Sequence, residues 1–114
     1  MAKLPPERQA LIWDSKQKLL EIIDLARKAE FDLLENWGET EDTLPALDQL
    51  TEIAQQAKDR FSQLSTLQVL VAESQPLPRS DLLKLLDARL TIIQNRIPAL
   101  ERSIQEIKLD WNLN

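Results

Sequence analysis

Nine positions near the end of the chain, Leu83, Leu86, Leu90, Ile93, Ile97, Leu100, Ile104, Ile107 and Trp111, follow one another at alternating intervals of three and four residues, and no polar residue interrupts them. That alternation matches the turn of an α-helix, so the stripe stays on one side of a long helix and can be covered only by other helices. Composition agrees. One glycine in 114 residues and no tyrosine, with Leu, Ala, Gln, Glu and Lys abundant, leave little from which to build strands and their turns. At 43% hydrophobic and 29% charged, the chain has enough apolar surface to fold and is long enough for one core.

The breaks in the pattern set the element boundaries. Pro5-Pro6 opens a first helix, because a proline in the first turn gives up an amide that has no partner there, and Gly38 is expected to close it in the left-handed conformation. The acidic segment Glu39-Thr40-Glu41-Asp42 reads as a turn, after which Thr43 is expected to cap a second helix that tolerates Pro45 in its first turn. Ser74-Gln75-Pro76-Leu77-Pro78 ends that helix, and Ser80-Asp81 starts the third. The expected helices span 6–37, 44–73 and 81–111. Each is about 45 Å long at 1.5 Å per residue, and loops this short make consecutive helices antiparallel. The fold class is therefore all-α: an up-down-up, antiparallel three-helix bundle with coiled-coil-like seams, in a single domain over 1–114. This topology places Trp37, Leu47 and Trp111 toward one pole and Trp13, Val71 and Leu83 toward the other.

The second helix has the seam Leu47, Leu50, Ala54, Ala57, Phe61, Leu64, Gln68 and Val71, where the alanines let a neighbouring helix come close and Gln68 is expected to reach solvent near the bundle end. Pro98 removes one backbone hydrogen bond from the third helix, and because the seam keeps its phase through Ile97 and Leu100 a bend is expected and not a break.

Residue chemistry argues against catalysis. Histidine, cysteine and tyrosine are all absent, which removes the commonest general base, the thiolate nucleophile and the usual ligands of zinc and haem. A single glycine cannot make a phosphate-binding loop, and the serines have no base near them in sequence. The expectation is a protein that is not an enzyme and holds no cofactor or metal. Glu39, Glu41 and Asp42 lack the spacing of a calcium loop and are explained by the helix N-terminus that follows them. A net charge of −5 disfavours nucleic acid, and no stretch has the apolar length of a membrane span or signal peptide, so a cytoplasmic protein without membrane contact is expected. Arg89 and Arg96 share one edge of the third helix, with Lys84 and Arg102 nearby; they are expected to lay their aliphatic stems over the core edge and to pair with the surplus carboxylates.

The first helix carries two stripes. One is Ile12, Ser15, Leu19, Ile22, Ala26, Ala29 and Leu33, and the other, a quarter turn away, runs Trp13, Lys16, Leu20, Ile23, Arg27, Glu30, Leu34 and Trp37. The second stripe is apolar at its ends and charged in between. Trp13, Leu20, Ile23, Leu34 and Trp37 are therefore the expected protein-binding residues, since large aromatics are enriched at interface hot spots. Their partner is expected to be another protein or a second copy of the chain, as a homodimer in which Arg27 meets Glu30 across the twofold axis. Taken together, the sequence points to a scaffold, adaptor, assembly factor or regulatory subunit. The alternative is a carrier of a small molecule or lipid, which needs a cavity between helices; only Ala26, Ala29, Ala54 and Ala57 are small enough to leave one.

Overall fold

A computed structural model describes residues 4–74 and 79–113. It has three helices, α1 (Pro6–Trp37), α2 (Leu44–Glu73) and α3 (Ser80–Asp110), which pack on one another as a rod of 56 × 19 × 17 Å. The third helix starts and stops one residue earlier than the sequence suggests. Pro76 and Pro78, expected to break the chain between α2 and α3, lie outside the described residues.

The core is one continuous file of aliphatic side chains from all three helices. From α1 come Ile12, Leu19, Ile22, Ala26, Ala29 and Leu33, together with the buried Ser15. In α3 the seam is buried from Leu86 through Ile107, but its first member is Leu82 and not Leu83, which is half-buried. Both residues are leucine, so the three-four rhythm alone does not choose between them. The α2 stripe is also wider than expected. Leu50, Ala57, Leu64 and Val71 form its centre; Leu47, Ala54, Phe61 and Gln68 lie on one flank, and Ala46, Ile53, Arg60 and Leu67 on the other. A helix that touches two neighbours needs two flanks.

Two of the expected caps differ in detail. Gly38 has φ +74° and ψ −178°, a region beyond the left-handed helix that essentially only glycine visits, and its amide still closes α1 on the Leu34 carbonyl at 2.9 Å. Thr43 does not cap α2 through its side chain. It is buried and turns back into the connection, where its hydroxyl donates to the Gly38 carbonyl and accepts from the Thr40 amide, each at 2.8 Å. Pro98 leaves α3 unbroken.

The pole that holds the C-terminal ends of α1 and α3 follows the expected topology. Trp37 at the end of α1 donates its indole N–H to the Trp111 carbonyl at 3.0 Å, and the two rings meet edge to face with centroids 5.7 Å apart. Beyond Trp111 the chain makes a Schellman turn: Asn112 takes a positive φ of 54°, its amide bonds the Leu109 carbonyl, and the Leu113 amide bonds that of Lys108. Leu113 then packs back on the core. Asparagine tolerates the left-handed conformation better than most residues, which is why the turn falls there.

Candidate functional site

The outer side of α1 is the expected binding stripe, and its five residues differ in how far they are exposed. Trp13, Leu20, Leu34 and Trp37 are 61, 47, 44 and 53% exposed. Ile23 is half-buried against the core. Trp13 and Trp37 stand about 36 Å apart along the helix at 1.5 Å per residue, and Trp37 is already engaged with Trp111. Phe31, at 62% exposure, adds to the outer side of α1 where the sequence reading did not place a site residue.

The polar middle of the stripe is satisfied within the chain. Arg27 donates to both carboxylate oxygens of Glu30, at 3.0 and 2.9 Å, and the Thr51 hydroxyl of α2 donates to the same carboxylate at 2.6 Å. The expected meeting of Arg27 with Glu30 of a second copy thus has its counterpart inside one helix. Nearer the other pole, Lys16 extends between two rings, 4.6 Å from the Trp13 centroid and 4.8 Å from that of Phe61, and donates to Gln68 Oε1 at 2.7 Å. Gln68 therefore does not simply reach solvent. It is half-buried and receives the ammonium that the two aromatic faces also attract. Between α1 and α3 the pairing is equally direct, with Arg8 on Asp87 at 3.0 and 3.1 Å.

The groove between α2 and α3 is different. Ser62, Gln63, Thr66, Leu67 and Leu70 form one wall, and Leu85 and Arg89 the other, around a volume of about 400 Å³. Leu70, Leu85 and Ile92 are each 44% exposed along it. Arg96 reaches across to Gln56, with its Nε and Nη2 donating to the amide oxygen at 3.3 and 3.1 Å. That contact fixes the antiparallel register: four residues onward in α2 is Arg60, level with Ile92 four residues back in α3. The Arg60 Nε is buried and has no hydrogen-bond partner.

The expected pairing of this basic edge with carboxylates does not occur. Among the described residues, Arg60, Arg89 and Arg96 make no ion pair. The acids that lie close in sequence are engaged by other groups. Asp87 belongs to Arg8 on the α1 side, while Glu52 accepts from Gln56 and Asp59 from Gln55 within α2.

Among the described residues there is no group of three acidic side chains able to hold a metal ion, and no helix is long and apolar enough to cross a membrane. Ala26, Ala29, Ala54 and Ala57 are buried in the core and line none of four grooves that open along the helices. Comparison with protein-family models, with curated proteins and with solved structures finds no match.

Proposed function

We propose that this chain is a non-enzymatic helical module that binds other proteins through the outer sides of its helices, serving as a scaffold, adaptor, assembly factor or regulatory subunit. One observation carries this reading. Large apolar side chains, Trp13, Leu20, Phe31 and Leu34 on α1 and Leu70, Leu85 and Ile92 along α2 and α3, stand at the surface around a continuous buried core. Burying such side chains on a partner is worth roughly 25 cal/mol per Å² of apolar area, the same driving force that packs the core. The absence of histidine, cysteine and tyrosine from the sequence supports the non-catalytic part. A carrier reading asks for a void at the core alanines, and four grooves along the helices are lined by other residues.

Self-association is one form of this activity, and the outer stripe of α1, with Trp13, Leu20, Ile23, Leu34 and Trp37, is the expected contact. Sedimentation at micromolar concentration tests it: a dimer that Leu20→Glu dissociates while circular dichroism stays helical supports the α1 contact, and a 13.1 kDa monomer at every concentration excludes it. The wider reading is tested by affinity capture with the native protein beside Leu20→Glu and Leu85→Glu variants of unchanged helicity. Proteins retained by the native bait and lost from a variant are the expected result. Identical capture by all three baits contradicts a binding role for these surfaces.

A further inference from the structure

The α2–α3 groove combines two features: exposed aliphatic side chains in heptad register and, among the described residues, arginines without carboxylate partners. Along α3 the line reads Leu85, Arg89, Ile92, Arg96, alternating apolar and basic at intervals of four, three and four residues. The two arginines are seven residues apart, about 10.5 Å along the helix axis. Across the groove α2 offers Leu67 and Leu70 opposite Leu85, and the Arg96–Gln56 contact puts Arg60 about level with Ile92. The protein as a whole carries 19 acidic and 14 basic side chains, so an uncompensated basic line runs against its overall charge.

We propose that this groove is a docking site for one amphipathic helix of another protein, carrying aliphatic residues toward Leu70, Leu85 and Ile92 and acidic residues at the seven-residue spacing of Arg89 and Arg96. This rests on the interaction reading above and assigns it a face and a partner chemistry. The complementarity of charge decides the occupant. An apolar helix laid in the groove buries the leucines but leaves the guanidinium groups facing a neutral surface, whereas glutamates at the matching spacing accept two hydrogen bonds from each fork. The apolar line between the arginines suits a helix better than a phosphate backbone, which asks for a denser run of cations. Seated there, the helix adds a fourth member to the bundle and covers side chains that α1, on the far side of the rod, does not reach.

The test uses a displayed library of helical peptides about three heptads long, with randomised core-facing and flanking positions, selected against the native protein. Selection is expected to enrich Glu or Asp seven residues apart beside Leu or Ile. Binding of the selected peptides should weaken with salt and fall by about tenfold or more in an Arg89→Glu/Arg96→Glu double variant. It should be regained there by peptides with Lys in place of the selected acids. If the double reversal unfolds, as judged by circular dichroism, Arg89→Gln/Arg96→Gln removes the charges at lower cost and is expected to weaken binding in the same direction. Failure to enrich any helix, enrichment without acidic bias, or binding that survives loss of both charges overturns the assignment, and leaves the wider interaction reading to its own capture experiment. So does finding that the double variant instead abolishes self-association or binding to vesicles of anionic lipid while the selected peptides bind unchanged.

Discussion

Helix α2 makes a groove with each of its neighbours, and the two are settled in opposite ways. Toward α1, two charged groups that reach between the helices each end on partners: Lys16 on two aromatic faces and Gln68, Glu30 on Arg27 and Thr51. Toward α3, one arginine reaches a neutral amide, another has a buried Nε without a partner, and a third has no ion pair among the described residues. Each groove has aliphatic residues at its edge. What separates them is polar satisfaction, since a cation held between rings and an amide contributes to the fold, while an arginine without a carboxylate adds nothing to it where it is solvated and costs it where its Nε is buried unpaired. A groove closed by its own residues is a packing interface, and one whose charges are left open has room for a partner's.

Changes to the core that both grooves share should have the largest effect and should not distinguish them. Leu100 is 2% exposed, and Leu100→Ala is expected to cost about 2 to 5 kcal/mol in chemical denaturation, in a single transition because the core is continuous. A loss under about 0.5 kcal/mol would place Leu100 outside the core. Thr43→Val comes next. It keeps the side-chain volume but leaves the Gly38 carbonyl and the Thr40 amide without their buried partner, which should cost about 1 to 3 kcal/mol and loosen the α1–α2 connection first in hydrogen exchange.

The comparison itself is sharpened by removing one cation from each groove. Lys16→Ala gives up two ring contacts and a hydrogen bond, and is expected to lower stability by about 1 to 2 kcal/mol. Arg89→Ala removes a charge that holds nothing in the isolated chain, and should change stability by less than about 0.5 kcal/mol. Equal costs for the two substitutions would break the distinction between a closed and an open groove.

Most of the architecture was legible in the sequence because few residues can end a helix. Pro6, Gly38 and the Ser74 turn each punctuate the chain by a property of the backbone, and the fold obeys them to within a residue. Register was less legible where adjacent positions carry the same residue, as at Leu82 and Leu83. The second flank of α2 was obscured because Arg60 interrupts Ile53 and Leu67, and a charged residue there reads as an outer position. The α1 stripe was visible as a pattern, but its charged middle looked open because Arg27 and Glu30, three residues apart on one helix, pair with each other, and the Thr51 hydroxyl that shares the carboxylate comes from α2. The α2–α3 groove was hidden for the converse reason. Asp87 lies two residues from Arg89 in sequence, yet two residues along a helix point to different sides, and the carboxylate goes to Arg8 of α1.

The contrast between the grooves is tested most directly by methyl-resolved NMR during titration with an acidic helical peptide selected as above. Shifts concentrated at Leu67, Leu70, Leu85 and Ile92, with Leu20, Ile23 and Leu34 unmoved, are the predicted result. Shifts concentrated on the α1 leucines, with the α2–α3 methyls unchanged at saturation, would contradict it.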